Sequence, residues 1–430
     1  MAQKTMRFPT RTVCSTRFLC AILLTAVFAA PVAGFAASDW KTSTSLTLRE
    51  TYDSNVFLQD HAPNPATVGA APARLGSMVT SLSASLGLEK KQSALFGFTA
   101  SYAPEAVRFH SASTEDHFIH RTAVSLGGSD GALSWSLTNS GIWTDGSVDA
   151  PIFGGPGGAP AIGGTAVRDR REAFADRSSF KLAVTAGRWL VRVVGAGYWH
   201  DFRTNQTTLT GCSNYIDRSE VTGGVEAGYA VAPKTRLIAG FRYGRQAQSS
   251  NLGVDSPYDS WLRRYVAGIE GSPKAWLQLN LLAGFETRTY AAGTPAAFDR
   301  NKSQLWIDAS AAATPTKRDT IQFSLRRADH PASSSVSVYA DTSGEISWQH
   351  RCSDRFGVRS SFKVCAADWH APVARRDRIY TPGVQLQYAF NPRFNAELAA
   401  TYDRGESLLA ATAGREFRRH AISISLKRTF

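Results

Sequence analysis

The chain has 430 residues, with 48 basic and 35 acidic side chains, a formal net charge of +13 and five cysteines. So few cysteines over this length exclude a disulfide-stapled scaffold, and no Cys/His spacing suits zinc. The basic excess leaves nucleic acid, a membrane surface or an anionic ligand as partners.

The first segment narrows that choice. Met1–Arg17 carries Lys4, Arg7, Arg11 and Arg17 and no acid, Phe18–Ala30 is an apolar run, and "PVAGFAAS" offers small residues for cleavage after Ala36. A basic start, a short apolar run and a small-residue site describe a secretory signal peptide. The run falls short of the roughly 20 apolar residues that span a bilayer. The expectation is an exported protein in which residues 1–36 are removed and 37–430 form a single domain. Loss of the four cations takes the formal charge from +13 to +9. Export excludes nucleic acid as a partner. Cys212, Cys352 and Cys365 remain. Cys352 and Cys365, if near opposite ends of one strand, are about 40 Å apart at about 3.3 Å per residue and cannot be bridged.

Beyond Ala37 the signal is period two. "MVTSLSASLGLE" sets Met78, Thr80, Leu82, Ala84, Leu86 and Leu88 against Val79, Ser81, Ser83, Ser85 and Gly87. "TRLIAGFRYGR" sets Leu237, Ala239, Phe241 and Tyr243 against Arg236, Ile238, Gly240, Arg242 and Gly244. "LQLNLLAGFETRTY" places Leu277, Leu279, Leu281 and Phe285 together, and "RFNAELAATYD" does the same for Phe394, Ala396, Leu398, Ala400 and Tyr402. Such alternation predicts strands with one apolar and one polar face. Many run for ten residues or more, the length of a tilted bilayer-crossing strand (about 9–11) and not of an ordinary soluble one (about 5–6). The small polar face suits a wet interior. A sandwich would need large apolar side chains there.

Connections alternate as well. Short turns at Lys90, Gly128, Ala186, Ala232, Ser272, Thr314, Arg351 and Asn391 interleave with longer segments, among them Asp53–Arg74, Thr144–Asp169, Asp201–Asp217 and Arg404–Arg415. Short turns on one rim and long loops on the other predict an all-β fold, an antiparallel up-and-down transmembrane barrel of about eighteen strands in the outer membrane of a Gram-negative bacterium. Tyr52, Tyr102, Trp143, Trp189, Tyr198, Trp199, Trp261, Trp276, Tyr290, Trp348 and Trp369 collect near strand ends. They are expected to form the two interfacial girdles. The Gly/Pro-rich stretch Asp149–Asp169 is too long for a simple hairpin. Either it folds inward to constrict a channel or it stays outside.

The chain ends in "HAISISLKRTF", where Ile422, Ile424, Leu426 and Phe430 share a face. A wall in hydrocarbon must pair on both edges, so this last segment reads as wall and not tail. The terminal Phe430 resembles the C-terminal assembly signal of bacterial outer-membrane proteins. That likeness implies outer-membrane lipid and the barrel-assembly machinery as partners. Arg428 departs from the apolar pattern, although near the rim it can reach the headgroups.

At the other end "TSLTLRETYDSNVFLQD" (Thr44–Asp60), with Tyr52-Asp53-Ser54-Asn55-Val56-Phe57 after an alternating strand, resembles a family of outer-membrane β-barrel porins associated with exopolysaccharide production and export. The resemblance implies a passive barrel that conducts or supports export of a polysaccharide, with an anionic polysaccharide and an export complex as partners. It transfers no catalytic residue.

Alternation points Arg49, Arg121, Lys181, Arg192, Arg236, Arg242, Arg264, Arg326, Arg359, Lys363 and Arg393 into the lumen. Glu89, Glu226, Glu270, Glu286, Asp308, Glu345 and Glu397 point the same way. Fixed charge in a narrow passage selects what enters, and arginines could serve as carboxylate forks for a solute or polymer. The alternative is that bases and acids pair between strands and brace the wall. A barrel enzyme of lipase or protease type, the competing class, needs a positioned His with partners. The available pieces are His110-Ser111, "EDHFIH" (Glu115–His120) and His420 with Ser423. His117 with His120, and His420 with Ser423, stand three apart on strands and so face opposite sides. No cofactor, metal or reaction is expected. A surface barrel with a structural or adhesive role is a further alternative.

Overall fold

The computed structural model describes residues 40–56, 58, 74–90, 96–145, 172–203, 216–250, 252–332, 337–372, 376–407 and 417–430. Residues 1–36, expected to be a signal peptide, Cys212 and the Gly/Pro-rich stretch 149–169 lie outside them.

Eighteen strands follow one another. The first six are β1 (Trp40–Asp53), β2 (Ser77–Lys90), β3 (Gly97–Phe109), β4 (His117–Asp130), β5 (Leu133–Thr144) and β6 (Ala173–Ala186). Next come β7 (Trp189–Phe202), β8 (Arg218–Ala232), β9 (Thr235–Gln248), β10 (Ser260–Lys274), β11 (Leu277–Tyr290) and β12 (Asn301–Ala313). The last are β13 (Asp319–Pro331), β14 (Val338–Arg351), β15 (Phe356–Trp369), β16 (Arg376–Asn391), β17 (Phe394–Ser407) and β18 (Phe417–Thr429). Each pairs with its neighbours in one 18-stranded sheet, and β18 pairs with β1 to close it. The closing register runs antiparallel from Ser45↔Thr429 to Asp53↔Ala421. Full closure is what removes edges that hydrocarbon could not tolerate.

The motif after the first strand fastens this closure. Asp53 accepts the Asn55 backbone N–H (2.9 Å) and the Arg419 guanidinium (3.0 Å), and Asn55 donates to the Arg418 carbonyl (3.0 Å). Val56, fully buried, packs with Phe109 and Ala112. Asp53, Asn55 and Val56 are therefore clasps between β1, β18 and the β3 rim.

Alternation decides the two faces. Leu48, Val191, Val193, Val221, Val225, Leu237, Phe285, Ile422 and Ile424 point outward and are 46–66% exposed. An apolar surface this continuous would be a severe liability in water, whereas it is the lipid-facing belt of a membrane barrel. The core sits on the inside of one half of the wall. Leu190, Ile238, Val266, Leu282 and Trp306, from β7 and β9–β12, form one buried cluster with Ala183 of β6.

Three aromatics expected in the girdles lie elsewhere. Tyr198, Tyr290 and Trp369 have the inward parity of their strands, and Tyr290 and Trp369 are buried among loop and rim residues. Their spacing from the strand ends was that of a girdle; the parity of their strands was not. Tyr52, Trp189, Trp199, Trp261 and Trp348 are outward and exposed. Cys352, in the turn before β15, and Cys365, far along that strand, are free thiols.

Candidate functional site

The inner face of β7–β12 carries a layer of charge. Arg192 on β7 donates from Nε to Glu226 Oε2 (2.8 Å) and from Nη1 to Glu270 (3.0 Å). Arg242 on β9 donates to the other oxygen of Glu226 (3.0 Å from Nε). The Glu226 carboxylate is thus gripped from both sides. Next to it Arg264 donates to Glu286 Oε2 (2.7 Å from Nε), and Arg288 donates to Glu286 Oε1. Arg288 reaches on to Glu220 (3.1 Å), and Gln304 adds a bond to Glu286 (3.3 Å). Four guanidinium groups meet four carboxylates, so the layer is charge-balanced.

Register explains why these side chains meet. Arg192 stands directly opposite Glu226, and Arg264 opposite Glu286. Direct cross-strand partners have Cβ atoms about 4.5–5.5 Å apart, close enough for a long Arg to fold onto its neighbour. Two glycines provide the floor. A Cβ on Gly224 would collide with Arg242, and one on Gly240 with Glu226, so both charged side chains lie flat on the wall. Trp306 of β12 faces the same layer, with the Arg264 guanidinium 4.5 Å and that of Arg242 5.5 Å from its ring centroid. These are cation–π distances.

Burial makes the layer costly to disturb. The Glu226 and Glu286 side chains are wholly buried, and those of Arg264 and Arg288 nearly so. Removing one partner from a buried pair costs about 3–5 kcal/mol, because the other charge is stranded. Elsewhere the inner pairs are wetter: Arg121–Glu105 at 2.7 Å and Arg359–Glu345 at 3.4 Å.

Above the layer, towards the long-loop rim, a cavity of about 370 Å³ opens. Arg177, Tyr198, Arg218, Arg326, Tyr339 and Asp341 are among its lining residues. Arg177 and Arg218 both lie 5.2 Å from the Tyr198 ring centroid. A second cavity of about 480 Å³ lies lower, on β11–β15, where Asn280, Ser310, Gln322, Ser324, Glu345 and Arg359 point in. The packed, charged layer thus gives way along the wall to a small, polar surface.

Of the sequence-chosen cations, Arg192, Arg242 and Arg264 come together in the layer, and Arg326 lines the cavity above it. Arg49, Arg121, Lys181, Arg236 and Lys363 have inward parity but make none of the layer's bonds given above; they stand opposite Ser425, Ala103, Val194, Glu270 and Glu345 in the ladders. Arg359 faces Gln349 and Gln385 in register and reaches Glu345 diagonally. Arg393 is not on the lumen wall. It lies in the turn between β16 and β17, because the strand ends before reaching it. Sequence reasoning missed Arg177, Arg218, Glu220 and Arg288. Alternation carried two residues past Glu286 would have reached Arg288.

The C-terminal residues Ile422, Ile424, Leu426 and Phe430 face outward, each at least 40% exposed. Arg428 folds its guanidinium 5.0 Å from the Phe430 ring centroid. The histidine pieces make other contacts. His117 Nδ1 bonds the Glu115 carbonyl (2.8 Å), His120 lies between Tyr102 and Trp143, and His420 stacks near Tyr402. Among the described residues no group of three His, Cys, Asp or Glu could hold a metal ion.

A closed wall with an apolar belt outside and charge inside has one setting. This is an outer-membrane barrel. No family model matches the chain, and no curated protein matches it. Among solved structures it is similar to OpdO of Pseudomonas aeruginosa (12% identity, TM-score 0.43, 91% of this chain and 97% of that one). It is also similar to the outer-membrane protein OpdK of the same organism (10%, 0.40, 91% and 99%) and to its siderophore receptor PirA (9%, 0.39, 91% and 80%).

Proposed function

We propose that the barrel is a passive channel for hydrophilic solutes, screened by the Arg/Glu layer on β7–β12. The observation that carries this is the contrast across the interior. Four guanidinium groups and four carboxylates, mostly buried, line β7–β11, and a small polar surface lies beside them on β11–β15. Barrels of about 16–18 strands leave an aqueous passage, and fixed charges beside it select ions. The refolded protein in planar bilayers is expected to conduct in discrete steps. Bilayers that stay silent with correctly folded protein refute the reading.

A conduit for an exported polysaccharide is the second reading. The pairing of Arg177 and Arg218 with Tyr198 supports it, since guanidinium forks take up the carboxylates of acidic sugars. So does the resemblance at Thr44–Asp60. Block of the conductance by an acidic oligosaccharide, and loss of secreted polymer on deletion of the protein, distinguish it from a channel for small solutes. No residue of either reading performs a reaction.

Assembly would use the outward C-terminal face, with outer-membrane lipid against the belt and the barrel-assembly machinery recognising Phe430. Deleting Phe430 is expected to slow the appearance of the heat-modifiable barrel in cells; an unchanged rate refutes that role.

A further inference from the structure

The outer face changes character above the apolar belt on β16–β18. Val384, Leu398 and Ile422 are outward and exposed. Further toward the long-loop rim the same parity brings Tyr380, Tyr402 and His420. Tyr402 and His420 stand directly opposite, with ring centroids 4.8 Å apart. Aromatic rings between belt and rim mark the headgroup level of a bilayer.

Arginines stand beside and above these rings. Arg404 of β17 lies between Tyr380 of β16 and Arg418 of β18 and is the direct partner of both. Direct partners on one face have Cβ atoms about 4.5–5.5 Å apart, where like charges repel. Arg378 of β16 stands opposite Glu406 of β17, and Arg376 opposite Asp368 of β15.

Counter-charge on this ledge is incomplete. Glu406 pairs with Arg404, and Asp368 is shared by Arg378 (2.8 Å) and Arg327 of β13 (3.8 Å). Arg376 and Arg418 are exposed and form no ion pair with another described residue. Asp329 has the same parity on β13, but it is buried and bonded to His370. Five arginines therefore meet two carboxylates on the outer face of β13–β18.

Depth selects the anion that completes the balance. The ledge lies outside the wall, at the level where lipid headgroups meet the barrel, so a soluble polyanion would have to displace lipid to reach it. A lipid phosphate is already there. A phosphomonoester carries a charge of about −1.5 to −2 with three acceptor oxygens. A guanidinium fork takes two such oxygens at once.

We infer that the outer face of β16–β18 docks a lipid with a phosphomonoester head, its phosphate between Arg404 and Arg418 and its acyl chains along the belt past Tyr402 and Leu398. Long loops of outer-membrane barrels are extracellular, which puts the site in the outer leaflet. It lies outside the lumen and does not depend on the channel reading.

The test is native mass spectrometry of the full barrel in detergent, titrated with lipid A, a glycolipid that bears phosphomonoesters. A saturable lipid A adduct is expected on the wild type, and none with the dephosphorylated lipid at the same concentration. Water-soluble glycerol phosphate at equal concentration is not expected to displace it. Arg404→Gln/Arg418→Gln is expected to weaken the adduct roughly tenfold or more, the loss of charge-assisted contacts. Arg245→Gln, which removes an exposed outward arginine of β9, is expected to leave it unchanged. Heat-modifiable gel mobility verifies folding. Arg418→Gln alone, which breaks no ion pair, decides if the double variant fails to fold. Equal adducts with the dephosphorylated lipid, displacement by glycerol phosphate, an equal loss in Arg245→Gln, or indifference to the Arg404 and Arg418 variants overturns the site.

Discussion

Arg264 on β10 and Glu286 on β11 are direct cross-strand partners, and their side chains close a 2.7 Å hydrogen bond inside the barrel. Arg288 holds the other oxygen of the same carboxylate. One acid thus bridges two cations, with Glu220 as the second counter-charge, in a space that water barely reaches. Glu286→Gln keeps the shape and leaves Arg264 and Arg288 with Glu220 as their one remaining carboxylate among the described contacts. The expected loss is about 3–5 kcal/mol. Urea unfolding of the refolded protein measures it; a midpoint shift equal to that of an exposed pair such as Arg359–Glu345 would show that the layer is solvated.

Selectivity follows from the same balance. Glu226→Gln leaves Arg192 and Arg242 without their shared carboxylate. The channel is then expected to favour anions more than the wild type does. Arg242→Gln shifts it the other way. Reversal potentials under a potassium chloride gradient give the sign, and shifts of the same sign in both variants would contradict the layer's role.

The two faces can be told apart by one residue type. Val225 is outward and half-exposed near the middle of β8. Val225→Arg is expected to cost about 2–4 kcal/mol, the penalty for a cation at bilayer mid-depth. Ser324→Arg, on the inward face of β13 beside the lower cavity, should cost far less. Equal losses in unfolding free energy would mean that the faces had been exchanged.

Gly271 sits at a β-bulge on β10 with φ +119°, and a Cβ there would overlap the Lys234 carbonyl oxygen. Both the backbone conformation and the space require glycine. Gly271→Ala should lower the unfolding free energy by more than the roughly 1 kcal/mol typical of a point change. A neutral result would mean that the β9–β10 rim can relax.

Period-two patterning determined the fold by itself. Leu277, Leu279, Leu281 and Phe285 could share a face only on a strand, and their small polar neighbours could face only water. Turn lengths then set the strand count and the two rims, because an antiparallel wall has no other way to return. Lumen-facing cations were legible for the same reason, as a parity. Which of them meet was not. Arg192, Glu226 and Arg242 are brought together by inter-strand register, and register depends on bulges and turns summed around the barrel. Tyr198 and Trp369 read as girdle residues because distance along the strand was visible while parity near its end was not. The end of β12–β13 pairing at Ile307↔Arg327 left a partial trace, since β13 loses its apolar alternation at Arg326-Arg327-Ala328-Asp329-His330-Pro331. Where pairing stops is decided only by closing eighteen strands into one ring.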